Sequence, residues 1–372
     1  MSANTRAATR GVSVGQVAKI ALLIALIILN IRATLPTEDT LSGFGSFVAS
    51  GRAAAAGLDP YAIYPETAHG MFAGTMYACP NLNPPLSVLA FQVLAYVDPQ
   101  TALRAWYVIS AGLYLAALAL LVRAYPKQLT LLRAIWALNL AGLWHTLLLG
   151  QIYMPLVLAT TGAWLLLQRR QQLAAGTLIG LVVALKPNFA IWPLLLLAAG
   201  PPVVAGASLA SAAALSALPL AAYGLRIYGQ WLAAAGAPGL LAILPGNGSL
   251  AAIATRLGLP WLGTLLAAAL VLALAYVLWC RRPNPLAASG VALAASILAS
   301  PIAWTGYTLL LLPVLFSRRW GRLLGVGAML LLFPLALVWP WCEASRIWLI
   351  VLGSAYGWAL LLIMAGLLGE DS

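Results

Sequence analysis

Acidic residues are scarce in this chain of 372 residues, which has eight Asp and Glu residues against 20 Lys and Arg residues. Charged residues make up 8% of the chain and hydrophobic residues 63%, whereas an ordinary soluble domain carries about 25% charged residues. This composition excludes a soluble globular domain. It predicts a helical protein that crosses a membrane several times.

The excess of basic residues gives a net charge of +12, but it does not predict nucleic-acid binding. Most Lys and Arg residues lie in short groups between apolar segments, as they do in the cytoplasmic loops of membrane proteins. We therefore expect the lipid bilayer as a partner, and no nucleic acid.

Cysteine and histidine are also rare. The three cysteines, Cys79, Cys280 and Cys342, lack the spacing of metal ligands, and the two histidines form no HExxH motif. A Walker A motif, a GxGxxG turn in a soluble α/β unit and a nucleophile elbow are likewise absent from the sequence. The sequence therefore predicts no metal site, no cofactor and no soluble nucleotide-sugar site.

The apolar segments predict an all-α polytopic membrane protein, with residues 1–372 in a single integral membrane domain. Twelve spans satisfy the rule that cytoplasmic loops are rich in Lys and Arg, provided that residues 83–97 form a re-entrant or surface helix. That segment is shorter than the roughly 20 residues of a span, and two prolines lie at its start. The predicted spans are 17–35, 102–122, 132–149, 152–168, 172–187, 188–200, 203–224, 258–280, 285–300, 303–317, 323–340 and 346–368.

This topology places both termini in the cytoplasm and residues 36–101 outside, as an extracytoplasmic loop with short juxtamembrane helices. The remaining spans then occupy residues 102–368. The outer face carries the unusual polar residues, whereas the inner face carries short basic connectors. We therefore expect a multi-pass protein of the cell membrane, the inner membrane of a bacterium, with its chemistry on the extracytoplasmic face.

Half of the acidic residues lie between positions 38 and 66 of this first outer loop, at Glu38, Asp39, Asp59 and Glu66. A carboxylate in this position can act as the general base that deprotonates an acceptor hydroxyl. The alternative is a solvated loop whose acids cap helices, and turn geometry explains Asp59 in the sequence GLDPY. Glu38 and Asp39, just beyond the first span, are the predicted catalytic residues.

Lys186 ends an apolar segment on the outer side, where the charge rule disfavours a lysine. Pro187 interrupts the helix directly after it and frees backbone groups. Lys186 is therefore predicted to bind the phosphate of a donor as a point charge, with snorkelling to the interface as the alternative. Arg226 and Arg256 lie on the same face and are candidates for the same anion.

Other outer residues are candidates for contacts with a sugar or an acceptor. An amide at the mouth of a span, as in the turn Gly150-Gln151, suits a sugar hydroxyl, and aromatic rings can stack on a sugar ring. The interfacial aromatic belt and helix capping by Ser249 are the alternatives. The candidate residues are Gln151, Asn188, Asn247, Ser249, Trp304 and Tyr307.

Six segments, taken in order, resemble glycosyltransferase family 87: GLDPYAIYP, NLNPPL, LLGQIYMPLVL, AGTLIGLVVALKPNF, NGSLAAIATRLG and ASPIAWTGYTLLLLP. The resemblance extends from about residue 15 to 345. It implies a GT-C fold and a mannosyltransferase that uses a polyprenyl-phosphate sugar as donor and a glycan or glycolipid as acceptor. It also implies inversion at the anomeric carbon, an Asp base in the first outer loop, and a donor or acceptor site lined by Gln151, Lys186, Asn247 and Ser249.

The chain departs from the family pattern at two places. The family Asp opens a segment such as DFxxFxxxGRA, whereas this chain reads GFGSFVASGRA and has Gly43 at the Asp position. The late SPxxW element often continues with histidine, whereas Thr305-Gly306-Tyr307 follows here. The base is then Asp39 or Glu38, or it is absent and the chain is an inactive partner subunit. A lipid-linked-sugar flippase is a further alternative, against which the scarcity of charged residues in mid-span counts.

Overall fold

The computed structural model describes residues 14–34, 41–128, 130–236 and 239–369. Most of these residues are helical. The α-helices are α1 (Val14–Thr34), α2 (Gly45–Ala55), α3 (Pro85–Phe91), α4 (Pro99–Ala124), α5 (Leu131–Leu138), α6 (Ala141–Leu149), α7 (Tyr153–Gln168), α8 (Gln172–Leu185), α9 (Ile191–Ala199), α10 (Pro202–Tyr223), α11 (Arg226–Ala235), α12 (Leu250–Arg256), α13 (Pro260–Arg281), α14 (Pro285–Leu298), α15 (Leu312–Ser317), α16 (Arg322–Leu330), α17 (Leu335–Ala344), α18 (Arg346–Val351) and α19 (Ala355–Gly369). The strands are β1 (Ala68–Phe72) and β2 (Thr75–Cys79). Short 3-10 turns cover Ser42–Phe44, Gln92–Tyr96, Pro187–Ala190, Gly239–Ala242 and Thr305–Leu311.

Five helical segments of the described chain are long and apolar enough to cross a membrane. They are Pro99–Ala124, Leu131–Leu149, Pro202–Tyr223, Pro260–Arg281 and Arg346–Gly369. A sixth results if α16 and α17, which meet at 81°, count as one broken span. The chain is therefore a mainly helical, multi-pass membrane protein, as its composition predicts.

Apart from 17–35 and 323–340, the other predicted spans fall on shorter elements. Five of them coincide with apolar helices of 10–17 residues, from Tyr153–Gln168 to Thr305–Ser317. The first, 17–35, coincides with α1, which ends at Thr34. By length and composition the described helices therefore supply five or six spans, fewer than the twelve of the sequence prediction, because proline and glycine divide several apolar runs.

Helix α14 lies at the centre of the bundle. Every residue from Ala287 to Leu298 is buried, and the helix contacts α7, α9 and α19. The long helices lie at the periphery, where only 17% of the most apolar stretch of α13 and 22% of that of α4 is buried. Their outward faces are apolar and suit contact with lipid tails.

Four distant parts of the chain meet at one end of the bundle. Phe72 of β1 forms a buried cluster with Leu241 and Leu244, and Trp304 and Trp339 pack against that cluster. The sequence predicts these segments on one outer face, and they do lie together. Helix α3 and the 3-10 turn that follows it lie at this end and together span Pro85–Tyr96. They fall within the segment 83–97, for which the sequence predicts a re-entrant or surface helix.

The loop also contains the antiparallel hairpin β1–β2, which the sequence pattern does not predict. Ala73 and Gly74 link the strands with φ angles of 47° and 76°, as a type I′ turn requires. The hydroxyl of Ser46 on α2 donates to the Cys79 carbonyl at 2.6 Å and accepts from the Ala68 N–H at 3.1 Å. One side chain therefore fixes both strands to α2.

Basic connectors gather at the opposite end. The Arg133 guanidinium donates to the carbonyls of Phe316 and Arg318 at 3.4 and 3.0 Å and lies 4.6 Å from the centre of the Trp320 ring. Helix α7 runs between the two ends, from Tyr153 to Gln168. Segments that the charge rule assigns to one side of the membrane therefore contact one another.

Candidate functional site

Three motifs from separate parts of the chain converge on the ring of Tyr153. The ammonium nitrogen of Lys186 lies 5.0 Å from the centre of that ring and 5.1 Å from the centre of the Tyr307 ring. The two tyrosine rings lie 5.0 Å apart. The GQIYMP, ALKPNF and SPIAWTGY segments thus form one site, at the end of the bundle where α7 begins.

The position of Lys186 follows from the proline beside it. Helix α8 ends at Leu185 because Pro187 lacks an amide hydrogen and cannot continue the helix. Lys186 caps the helix with its own N–H bonded to the Val182 carbonyl at 2.8 Å, and a 3-10 turn follows it. The break directs the lysine side chain toward Tyr153 and Tyr307 instead of along the helix surface.

Lys186 is 8% exposed and has no counter-ion within the described ranges. An ion pair among the described residues joins Arg52 to Glu66 at 2.7 Å, and it does not involve Lys186. Aromatic faces attract an ammonium group through the ring quadrupole, but they leave its positive charge uncancelled. The site therefore presents a buried cation that can still pair with an anion.

Tyr153 itself was not among the sequence candidates. Its side chain is buried, and its hydroxyl interacts with the side chain of Tyr307. The signal available in the sequence was its place two residues after Gln151, at the first turn of a helix.

Tyr307 is held in place from two sides. Phe189 stacks on its ring at 5.7 Å between centroids. Gly306 packs so closely on Tyr153 that a Cβ atom at position 306 would overlap the ring. In the segment Thr305-Gly306-Tyr307, which departs from the family pattern, Tyr307 therefore contributes an aromatic ring. Gly306 leaves the space that the ring of Tyr153 occupies.

Gln151 lies beside Gly43. A Cβ atom built on Gly43 would lie 2.9 Å from the Gln151 side-chain nitrogen and 2.6 Å from the Leu149 carbonyl oxygen. Gly150, with φ of 60°, makes the turn that brings Phe44 against this corner. The position at which the resemblance implies an acid is therefore filled by backbone contact, and a larger residue there requires the backbone to move.

Asn188 lies two residues beyond Lys186 and is half-buried. Its amide nitrogen donates to the Ser296 carbonyl of α14 at 3.4 Å, which leaves the amide oxygen without a partner among the hydrogen bonds described. Asn188 therefore remains beside Lys186 as a candidate polar contact for a ligand.

Asn247 and Ser249 are fully buried and form hydrogen bonds within the protein. The Asn247 side-chain oxygen accepts from the N–H groups of Ser249 and Ala303 at 3.3 and 2.9 Å, and its amide donates to the Ala242 carbonyl at 3.2 Å. Ser249 caps α12 by accepting from the Ala252 N–H at 3.0 Å. This geometry favours a structural role for both residues, as the capping alternative predicts.

Arg256 also forms hydrogen bonds within the protein. It is 2% exposed, and its guanidinium donates to the carbonyls of Ile243 and Leu244 and to the Ser354 hydroxyl. Burial lowers the pKa of Arg256 to about 10, so the group is still charged at neutral pH. Three of its five N–H donors are bonded to protein oxygens, which favours a structural role for Arg256.

Arg226 has no ion pair or hydrogen bond with the Lys186 site in the described chain, and Trp304 adjoins the site through its carbonyl, which accepts from the Tyr307 N–H at 2.9 Å. Arg226 is exposed at the start of α11, where it lines a surface cavity with Asp59. Trp304 packs against the cluster of Phe72 and Leu241. The structure therefore brings together Lys186, Tyr153 and Tyr307, with Asn188 two residues from Lys186 and Gln151 two residues from Tyr153, and shows no contact of Arg226 with that group among the described residues.

The predicted bases, Glu38 and Asp39, lie outside the described residues. The acids within the described ranges have other partners. Glu66 pairs with Arg52, Asp98 caps α4 through the Thr101 N–H, which lowers the pKa of its carboxyl group, and Glu343 accepts from the Ala73 N–H. No group of three His, Cys, Asp or Glu residues suited to a metal occurs within those ranges.

Comparison with known proteins places the chain in a family. A model of glycosyltransferase family 87 matches residues 81–301, more than half of the chain, and no curated protein matches it. The matched range contains Gln151, Tyr153 and Lys186 and ends shortly before Tyr307. On this match, the chain belongs to glycosyltransferase family 87 and is a membrane glycosyltransferase.

Proposed function

We propose that the chain transfers a sugar, mannose, from a polyprenyl-phosphate donor to a hydroxyl of a glycan or glycolipid acceptor, with inversion at the anomeric carbon. One observation carries this proposal: the buried ammonium of Lys186 lies between two aromatic rings, without a counter-ion in the described chain. An anion that enters this site from the membrane would supply the missing charge.

A lysine suits the phosphate of a lipid-linked donor. The ammonium group acts as a point charge, and its attraction for a phosphate oxygen is stronger in a poorly solvated site than in water. The donor leaves a phosphate monoester on which negative charge increases as the sugar departs. Lys186 then stabilises the transition state more than the ground state, which is the requirement for catalysis.

Transfer replaces the bond between C1 of the sugar and the donor phosphate by a bond between C1 and the acceptor. The acceptor oxygen forms a bond to C1 of the sugar while the bond between C1 and the phosphate oxygen breaks. Polyprenyl phosphate leaves with the electron pair, and Asp39 or Glu38 takes the proton of the acceptor hydroxyl. The amide groups of Gln151 and Asn188 are the proposed partners of the sugar hydroxyls.

We also propose a membrane location for the protein and for its Lys186 site. The protein lies in the cell membrane, the inner membrane of a bacterium, in a GT-C-like fold of twelve spans with both termini in the cytoplasm. The Lys186 site then faces the extracytoplasmic side, and the donor tail lies in the lipid. The helical segment Pro85–Tyr96, whose helix α3 contacts α8, is proposed to cover the site and exclude water during transfer.

The test uses purified protein in nanodiscs, with polyprenyl-phosphate-mannose and a panel of glycan acceptors. Lys186→Ala is expected to lower kcat/KM by about a hundredfold or more, because it removes charge stabilisation of the leaving group. Lys186→Arg should keep part of the activity. Lys127→Ala, at an exposed lysine of the basic end, is the matched control and should leave activity unchanged.

Transfer by Lys186→Ala at the wild-type rate would contradict the phosphate role. The base is tested separately by Asp39→Asn and Glu38→Gln, alone and together. Full activity of the double variant would exclude both carboxylates.

A second candidate function is an inactive family member that acts as a partner subunit. The contact of Gly43 with the Leu149 carbonyl favours it, because that contact leaves no space for an acid at the family position. Transfer by the purified chain alone, abolished in Lys186→Ala, would exclude this candidate.

A further inference from the structure

A cavity lies at the same end of the bundle as Lys186 and is not lined by it. It has a volume of about 600 Å³ and is lined by Asp59 and Tyr61 of the first loop and by Arg226, Gly229 and Gln230 of α11. Positions 226, 229 and 230 are three and four residues apart, so their side chains share one face of the helix. The cavity is therefore a groove between the GLDPY turn and a single helix face.

The charged groups of this groove face the same space without pairing. One carboxylate oxygen of Asp59 accepts the Tyr61 N–H at 2.9 Å, and the other accepts no hydrogen bond in the described chain. Arg226 has neither an ion pair nor a hydrogen bond there, although it lines the same cavity. The two groups are held too far apart for direct contact, with space between them for a ligand group.

The helix face is shaped to leave this space open. Gly229 has no side chain, and an added Cβ atom would meet nothing within 4 Å. Tyr61 forms a fixed wall, because its side chain is 5% exposed and its hydroxyl donates to the Asn83 carbonyl at 3.0 Å. The opening is therefore a stable feature of the packing between the loop and α11.

The groups around the groove suit a neutral saccharide. A carboxylate accepts hydrogen bonds from sugar hydroxyls, whereas a guanidinium and the Gln230 amide donate to them. An anionic ligand would be repelled by Asp59, and a cationic ligand by Arg226. We infer that this groove binds the saccharide of the acceptor, at a site distinct from the donor phosphate site.

The position of the groove fits that role, which rests on the proposed function. Helix α3 contacts both α8, which ends directly before Lys186, and α11, which begins at Arg226. The two sites therefore flank one short helix at the same end of the molecule. An acceptor held in the groove lies on the side from which it can reach a donor at Lys186.

The test measures binding of neutral trisaccharides, namely maltotriose, mannotriose and chitotriose, to the full chain in nanodiscs by saturation-transfer NMR. At least one should bind the wild type, and Gly229→Leu should weaken its binding by about tenfold or more because the side chain fills the groove. Gly206→Leu is the matched control, since Gly206 on α10 also has open space around it, and it should bind like the wild type.

Asp59→Asn is the second variant. Its side-chain oxygen can still accept the Tyr61 N–H and keep the turn, but the charge-assisted bond to a hydroxyl is lost, so binding should fall about tenfold. Binding by none of the three trisaccharides, or equal binding by Gly229→Leu and the wild type, would overturn the inference. Displacement of the saccharide by millimolar inorganic phosphate would overturn it too, by identifying an anion site.

Lys186→Ala separates this inference from the proposed function. Saccharide binding should persist in that variant although transfer is lost. If transfer survives Lys186→Ala while Gly229→Leu still blocks saccharide binding, the donor proposal fails and the groove stands.

Discussion

At the residue scale, the ammonium of Lys186 is held by ring faces instead of carboxylates. A carboxylate partner would neutralise the lysine and compete with a phosphate, whereas the rings of Tyr153 and Tyr307 hold the charge in place and leave it available. Tyr153 is therefore a positioning residue, because it acts on the donor through Lys186.

Two substitutions of Tyr153 should separate the contribution of its ring from that of its hydroxyl. Tyr153→Phe keeps the ring face and should change the KM for the donor by no more than about twofold. Tyr153→Leu removes the cation–π contact and should raise that KM by roughly tenfold, with a smaller effect on kcat. Steady-state kinetics with polyprenyl-phosphate-mannose measures both values.

The control for this prediction is Tyr276→Leu, which changes a tyrosine that is 70% exposed on α13. It should behave like the wild type. Equal donor KM values for Tyr153→Phe and Tyr153→Leu would show that the ring does not position the lysine.

Residue patterns predicted part of this site. Lys186 was predictable because an apolar helix, an outward lysine and a following proline coincide in a short segment. Tyr153 was not, because a tyrosine at the start of an apolar helix is ordinary in membrane proteins. Its importance arises from contacts with residues more than 30 and 150 positions away in the chain, and local sequence carries no record of such contacts.

At the element scale, the hairpin β1–β2 is the part that helix periodicity missed. The turn residues Ala73 and Gly74 adopt positive φ angles, but the sequence Ala-Gly is a weaker hairpin signal than Asn-Gly. The strands are short, and the bonds from Ser46 to both of them depend on the neighbouring helix. The segment 83–97, by contrast, carried its own signal in its paired prolines and its length, and it is helical from Pro85 to Tyr96.

The last residue of the hairpin offers a pH-dependent test of this packing. Burial raises the pKa of the Cys79 thiol to about 11 from an ordinary value of 9.0. The thiolate is the reactive form, so at pH 8 a Cys79 thiol should react with maleimide roughly a hundredfold more slowly than an exposed thiol. The rate should rise with pH and reach half of its maximum near pH 11.

The measurement uses Cys280→Ser and Cys342→Ser together, so that Cys79 is the remaining thiol. Thr75→Cys with Cys79→Ser places an exposed thiol on the same strand as the control. The same rate and the same pH profile for both thiols would mean that the hairpin does not bury Cys79.

At the scale of the whole molecule, the two ends differ in chemistry. One end carries the hairpin, the Lys186 site and the saccharide groove, while the other gathers the arginines around Trp320. Charge patterning predicted which segments share an end, because basic connectors recur at regular intervals along the chain. The number of long spans was not predictable in the same way, since breaks at proline and glycine depend on packing against neighbouring helices.

The orientation is testable with two single-cysteine variants in a chain whose native cysteines are replaced by serine. Met76→Cys on the exposed hairpin and Lys127→Cys at the basic end are both accessible positions. A membrane-impermeant maleimide applied to intact spheroplasts should label Met76→Cys and spare Lys127→Cys until the membrane is permeabilised. The reverse order of labelling would mean that the site faces the cytoplasm.

The contact of Gly43 with Leu149 also has an evolutionary consequence. A single base change converts a glycine codon to an aspartate codon, yet the new side chain would meet a backbone oxygen 2.6 Å from its first carbon atom. An aspartate at position 43 is therefore one base change away in the genetic code, but the fold accepts it only if the turn at Gly150 moves.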